Sequence, residues 1–545
     1  VSNTKKFIAL TVAAFIALVL ISQFTTKKGD AGGSTTGTAA NTALSANNKV
    51  TDAKVPVSQV GLQQLSDQLG EHTVAINMTW LLITGFLVLF MQVGFAFLVT
   101  GLTRAKNAGH MMMMNIAAFA VALLAYYAVG YAFQFGGVGI AGVPNLGGLA
   151  VLNGVLGHGH AGLIGLHGFF LQTGKSYDVG AIAFFLFQVV FMETAGYIII
   201  GAIAERINFS TFLLAEVAMG AIIYPVYGMW VWGGGWLSQL GNSMNLGHGA
   251  VDFAGSGVVH ATGGWAALAL AMLLGPRIGK YKKDGTPRAF PGHNLGYVVI
   301  GTLVLVFGWM GFNPGSTFGS TDLRIGIVAV NTLLSACAGF VVAMGLTTAK
   351  YGKPDISMSC NGMLAGLVAI TAPCAFVAPW AATMIGLLAG ILVVYSVEFI
   401  DRKLKVDDPC GAISVHGVCG AWGVIAVGLF ADGTYGAGWN GVAGNVKGLF
   451  YGNAGQLGAQ LIDVVVGFLW AWGVTWLIFA AYKRYKAIRV PAEVELEGLD
   501  VPEFGAYCYP DFVLASESPG IGEDYDDVDL TGAAARSTAG LPSDG

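Results

Sequence analysis

Two short stretches carry residues whose types and spacing could do chemistry inside an apolar chain. Asp252 to Gly264 reads DFAGSGVVHATGG, and Asp408 to Gly420 reads DPCGAISVHGVCG. Counted from the Asp, both have Gly at +3, Val at +7, His at +8 and Gly at +12, and both run on to a tryptophan, Trp265 and Trp422. A helix rises about 1.5 Å per residue, so each His should lie roughly 12 Å beyond its Asp, near the middle of a hydrocarbon core about 30 Å thick. A neutral imidazole both donates and accepts hydrogen bonds. Two of them, His260 and His416, at matching depth in two related halves point to a transport site at a repeat interface. Plainer readings stand beside this one. An Asp before an apolar helix is an ordinary N-cap, and a lone buried His is usually a satisfied core group. A metal pair is disfavoured, because no carboxylate or Cys sits beside either His at ligand spacing.

Composition says what must hold these residues in place. The chain has 545 residues, 55% of them hydrophobic and only 11% charged, with a mean hydropathy of +0.66. Those values exclude a soluble globular domain. The 80 glycines suit membrane helices that approach closely. A net charge of −4 gives no sign of a nucleic-acid partner. The six Cys include no CxxC, so neither a disulfide framework nor a zinc site is expected, and no cofactor is implied.

Residues 1–25, with Lys5-Lys6 before FIALTVAAFIALVLISQF, read as a signal peptide or an N-terminal anchor. An extracytoplasmic linker follows over 26–75, polar at first, with a weak helical lead-in at Val57, Val60, Leu65 and Leu69. The membrane domain, 76–488, should be all-α and polytopic. Eleven transmembrane helices are expected over 78–100, 111–134, 179–204, 210–231, 252–275, 292–313, 325–348, 357–377, 380–400, 410–430 and 455–482. Alternate junctions hold the basic residues, from Arg104 and Lys106 to the KRYKAIR after the last helix. The opposite loops offer only Lys175, Arg324 and Lys447. Basic loops stay cytoplasmic, which puts the start of the core outside and the C-terminus inside. The fifth helix then runs inward and the tenth outward, so the halves form an inverted five-helix repeat. The loop 135–178 holds GHGHAGLIGLH; His158, His160 and His167 could bind a metal, but a flexible loop is the simpler reading. The tail, 489–545, ends acidic and Gly/Ser-rich, a composition expected to be disordered.

Further stretches converge on the two motifs. FFLFQVVF places Phe187, Gln188 and Phe191 in the third helix; YPVYGMWVWGGGWL places Trp230, Trp232 and Trp236 at the outer end of the fourth. GWMGFNPGS places Phe312, Asn313 and Ser316 where Pro and Gly should break the sixth. An indole face attracts a cation, worth about 0.5–2 kcal/mol, and a Ser hydroxyl can accept a hydrogen bond from it. Taken singly, Trp at an interface is usually an anchor and Phe in a membrane helix is usually packing.

Together, DFAGSGVVH, DDPCGAISVHGVCG, GFNPGS and FMQVGFAFLVTGLTRAKN resemble the ammonium transporter family (Amt/Mep/Rh) over about residues 75–510. The resemblance implies an outer ammonium site of Trp232, Ser316 and Phe191 with Asp252 supporting it. It also implies a stacked gate of Phe191 and Phe312 and a conduction path lined by His260 and His416. Gln188, Asn313 and Asp408 are structural or supporting candidates. Trp232 and Ser316 favour the Amt branch. The family fold implies a homotrimer with one pathway per subunit, and a cytoplasmic nitrogen-regulatory protein of the PII type as a partner. The expected function is recruitment of ammonium, its deprotonation, and passage of ammonia through an apolar pore in the cell membrane. A barrier of Phe and apolar helix makes an intact cation expensive; ammonium can shed a proton, whereas potassium cannot.

Three residues depart from the family pattern. Glu193 stands two positions past Phe191, where a small residue is usual. Glu216 is a second carboxyl at membrane depth, and buried Glu is costly unless paired or protonated. Phe504 follows Asp500 in the tail's GLD segment, where a His is usual. An ammonium sensor, signalling through its tail, is the rival of another class; the short tail speaks against it. A neutral gas channel of the Rh type is the nearer rival. An enzyme is not expected, since no nucleophile–base pair appears.

Overall fold

The structure is a computed structural model and describes residues 62–510, apart from 139–142, 144, 146–148, 150–151, 158–161 and 172–178. The expected signal or anchor segment, His158 and His160, and the tail beyond 510 lie outside the described residues.

The chain is all-helical but for a two-residue hairpin, Val155–Leu156 with Ile164–Gly165. In chain order the long helices are α1 (Leu62–Leu102), α2 (Ala105–Phe135), α3 (Val179–Ile203), α4 (Phe209–Val231), α5 (Ser256–Leu274), α6 (Leu295–Gly315), α7 (Ile325–Tyr351), α8 (Ile356–Thr371), α9 (Pro379–Leu404), α10 (Ile413–Phe430) and α11 (Ala454–Tyr482). Short tail helices α12 (Ala492–Glu497) and α13 (Asp500–Phe504) follow. Ten of these helices are long and apolar enough to cross a bilayer, and α8 is the shorter eleventh apolar segment.

Several expected limits move, each for a local reason. The lead-in at 62–75 is continuous with the first apolar run, so α1 is one helix of 41 residues. α8 stops at Thr371 rather than 377, because the next amide, Ala372 N–H, donates to the Ser256 hydroxyl at 2.7 Å. α6 runs through Pro314 instead of breaking before it. The helix ends one residue later at Gly315, with Ser316 as its cap, so only its last turn has to accommodate a residue without an N–H. α5 begins at 256 rather than 252, because Asp252 caps the helix instead of joining it, and α10 begins at 413 rather than 410, where the Asp408 carboxylate takes the Ala412 and Ile413 amides.

α3 and α5 are the most enclosed spans, while α11 shows most of its surface. α1 packs along α6, α7 against α8 and α9, and α5 touches both α3 and α11. The centre of the molecule is therefore where the two Asp–His stretches meet.

Candidate functional site

Each Asp–His stretch opens with a carboxylate-capped turn and continues as a π-turn, Ser256–Ala261 and Ile413–Val418. Such wide turns are uncommon and often mark functional positions in helices. Asp252 accepts four backbone amides, from Gly255, Ser256, Gly257 and Val258, at 2.8–2.9 Å. Gly255 adopts φ +110° to make that cap, a conformation open to glycine without strain. Asp408 accepts two amides, from Ala412 and Ile413, at 3.0 and 2.7 Å.

The two turns cross antiparallel. Ser256 lies against Gly420, and a Cβ at Gly420 would stand 2.5 Å from the Ser256 carbonyl oxygen. A Cβ at Gly264 would collide with the backbone nitrogen of Gly417. The glycine at +12 of each copy is thus the point where the other copy's backbone passes. Between them His260 and His416 meet, Nδ1 to Nδ1 at 3.3 Å, with ring centroids 5.3 Å apart. For two neutral imidazoles, one Nδ1 donates and the other accepts. The pair must then present one Nε2 acceptor and one Nε2–H donor at its two ends. The His260 Nε2 is buried and has no protein partner.

From His260 a column of rings leads away. Its imidazole stacks on Trp309 at 5.0 Å and on Phe312 at 5.4 Å. Phe312 stacks on Phe191 at 3.9 Å and 21°, both fully buried. Phe191 meets Trp232 edge-on at 6.3 Å. Trp232 donates its indole N–H to the Asp252 carbonyl oxygen at 2.7 Å, which fixes the ring. Ser316, at the end of α6, donates its hydroxyl proton to Phe312 O at 2.8 Å, so its lone pairs remain to accept. Asp252, expected to support the site, has both carboxylate oxygens taken by amides and its carbonyl oxygen bonded to the Trp232 indole N–H.

The supporting candidates fall elsewhere. Asn313 donates to the Thr332 hydroxyl at 2.9 Å and ties α6 to α7. Gln188 is buried with an unpartnered Oε1. Glu193 accepts from Gln92 at 3.4 Å, on a different face of α3 from Phe191, since two residues turn a helix by about 200°. His167 is exposed and bonds Asn153, and no group of three or more potential metal ligands occurs among the described residues.

Sequence reasoning missed Trp309 and Phe95, the ring beyond His416 at 6.4 Å. Both read as ordinary packing residues in apolar helices, without any polar signal. It also missed an ion cluster beside the second motif. Arg277 donates to Asp407 through Nε at 2.8 Å and Nη2 at 3.0 Å, and lies 3.2 Å from Glu205, which also pairs with Arg104. Burial alone would push both carboxyls up. Arg277, with Arg104 at Glu205 and Arg206 at Asp407, outweighs it and holds both below the usual carboxylate range. The tail docks here as well: Asp500 accepts the Gly109 and His110 amides at 3.0 and 2.8 Å. Phe504, the residue in place of the usual His, packs on His110 and Phe209 at 5.6 and 5.0 Å.

A membrane-embedded column of aromatic and imidazole rings, set where two related motifs cross, defines a polytopic membrane transport protein. Residues 79–509 match the family model described as the Ammonium Transporter Family. The chain is 49% identical over 440 residues to ammonium transporter Amt2 of Archaeoglobus fulgidus, covering 80% of this chain and 89% of that protein. It is 37% identical to ammonium transporter Amt1 of Haloferax mediterranei over 82% of each. A solved structure described as a sensor Amt protein aligns with TM-score 0.69 at 35% identity, over 80% of this chain and all of that one. Candida albicans Mep2 aligns with TM-score 0.65 at 29% identity, over 82% and 93%. The chain belongs to the ammonium transporter family, and it is a multi-pass membrane protein.

Proposed function

We propose that the protein carries ammonium across the membrane by stripping one proton from it at the ring column. Ammonium is recruited between the Trp232 face and the lone pairs of Ser316, beside Phe191. Phe191 and Phe312 then close the path to an intact cation, because a dry aromatic stack offers nothing to replace its hydration. Ammonia, once neutral, passes between the rings and meets the His260–His416 pair, which supplies both a donor and an acceptor at the point of highest cost. The unbroken sequence Trp232, Phe191, Phe312, His260, His416 is the observation that carries this reading. It also accounts for selectivity against potassium, which has no proton to lose.

In the membrane we place the start of α1 outside and the tail inside, with α8 completing eleven crossings of an inverted repeat. The assembly we propose is a homotrimer that meets a PII-type signal protein on its cytoplasmic face. The structural likeness to a sensor Amt protein keeps one rival in play, a sensor that binds ammonium without moving it. Current and uptake in vesicles reconstituted with the whole chain separate the two. Ammonium-evoked current that potassium does not evoke supports transport. Binding without uptake or current would make the protein a sensor.

A further inference from the structure

The end of α4 carries Trp232, and the helix is interrupted just before it. Met219–Ile223 form a π-turn, and Pro225 follows with no N–H to give. Two such interruptions in succession weaken a helix at that point, so its last turns need bracing from outside. The brace is α11. Positions 223, 227 and 230 share one face of α4. Trp470 donates its indole N–H to the Ile223 carbonyl oxygen at 2.8 Å, and Trp230 meets Trp470 edge-on at 4.8 Å. Tyr227 donates its hydroxyl proton to Asp463 at 2.8 Å, and Asp463 makes no other side-chain bond among the described residues. Gly467 leaves the space: a Cβ there would stand 2.7 Å from the Tyr227 hydroxyl. Trp232 lies two residues past Trp230, about 200° around the axis, and meets Phe191 on the other side.

α11 also holds the partner of that indole. Trp232 donates to the Asp252 carbonyl oxygen. The preceding residue, Val251, is clasped by Gln460, which accepts its amide at 2.8 Å and donates to its carbonyl oxygen at 2.7 Å. One turn earlier, Gln456 takes the His248 amide and the Gly249 carbonyl oxygen in the same way, both at 2.8 Å. Gln456, Gln460 and Asp463 are all fully buried and fall on one face of α11. The two supports converge at Gly257, where a Cβ would stand 3.2 Å from both the Tyr227 hydroxyl and an Asp252 carboxylate oxygen.

Three buried polar side chains in one stripe of an apolar span are costly unless each satisfies a specific group. Their bonds go to one another, to the stretch before Asp252, to Val424 and to Tyr227, and none goes to the ring column. We propose that Gln460 and Asp463 are positioning residues for ammonium recognition, with α11 as a splint that fixes the Trp232 indole from two sides. Asp463 acts through Tyr227 on α4, and Gln460 acts through Val251 beside Asp252. A ring already held in place needs no ordering when a cation arrives.

This rests on the recognition role of Trp232, and the two can fail separately. The half-saturating ammonium concentration and the maximal ammonium-evoked current are measured in vesicles. These hold wild type, Tyr227→Phe, Gln460→Met, Asp463→Leu or Asp463→Asn, each alone and with Trp232→Leu. Tyr227→Phe, Gln460→Met and Asp463→Leu should each raise the half-saturating concentration by about twofold or more, up to the shift that Trp232→Leu itself gives. Maximal current should be unchanged. Asp463→Asn keeps an acceptor for the Tyr227 hydroxyl and should stay at the wild-type value. Combined with Trp232→Leu the same changes should add nothing, because no ring is left to position. Unchanged half-saturation, lost maximal current instead, or a shift that adds to that of Trp232→Leu would overturn the proposal, and so would Asp463→Asn shifted as far as Asp463→Leu. Where Asp463→Leu does not fold, Tyr227→Phe, which removes one hydroxyl, carries the test. An unaltered Trp232→Leu would sink the recognition reading and this proposal with it; an altered Trp232→Leu beside silent α11 variants sinks the proposal alone.

Discussion

The two Asp–His motifs share a plan and differ in what surrounds them. Both cap a π-turn with a carboxylate, both set a His in that turn, and both give up a side chain at +12 so the other can pass. Yet Asp252 holds four amides and Asp408 only two. Ser256, at +4 of the first copy, bonds Val368 O and the Ala372 amide; the second copy has Ala412 there, and is tied instead by Asn361 to Cys410 O. His260 is sealed among Trp309 and Phe312, whereas His416 opens on the small cavity with Asn361 and Tyr197. The first motif is sealed by stacked rings, and the second opens on a small, mostly apolar cavity and stands beside the Arg277 cluster. One local device was reused, and the neighbours gave each copy its task.

The glycines test what is common. Gly264→Ala and Gly420→Ala should each abolish monodisperse, folded protein in detergent, because each new Cβ meets backbone rather than a movable side chain. A folded, active Gly420→Ala protein would show that the copies do not depend on one another equally.

The histidines test the first difference. His260→Asp should admit potassium or silence transport, since a carboxylate there lowers the cost of an intact cation. The same change at His416, beside a cavity with room for about one water, should lose less selectivity; the reverse order in ion-substitution currents would undo the contrast of sealed and open sides. Replacing both imidazoles with Leu should abolish proton-coupled current even if ammonia still permeates.

The caps come next. Asp252→Ala should lower thermal stability by roughly twice as much as Asp408→Ala, since charge-assisted bonds to amides each contribute about 1.5–3 kcal/mol before relaxation. Equal shifts in Tm would mean that the extra amides at Asp252 add nothing.

Trp232→Leu should raise the half-saturating ammonium concentration by about 2- to 30-fold, the loss of one cation–π contact of about 0.5–2 kcal/mol, with Tm unchanged. An unaltered concentration dependence would remove Trp232 from recognition.

The smallest effect concerns acid. Glu205 and Asp407 sit below their ordinary range in the folded chain. Their contribution is therefore complete above the unfolded carboxylate range of about 4 and is lost as pH falls through and below it. Arg277→Gln should remove that protection and move the acid-unfolding midpoint to higher pH. No such shift would detach the ion cluster from the stability of the second motif.

Much of this was legible beforehand because a bilayer leaves few options. Apolar runs of the right length must be helices, since every backbone group needs a partner inside the segment. The repeated Asp, His and Gly stood out because polar residues in such runs are rare. The paired histidines and the Phe191–Phe312 stack could be named from spacing and family likeness alone. Other features have no linear signature. Asp252 looks equally like a ligand and a cap until four amides are seen around its carboxylate. α8 stops at Thr371 because a hydroxyl 116 residues away takes the next amide. Trp309 reads as packing until its ring lies on an imidazole. The sequence by itself determined which segments are helices and which residues could do chemistry, because both follow from composition and period. Which groups face one another was decided only by helix packing, where glycine contacts and crossing backbones bring distant positions within a few ångströms.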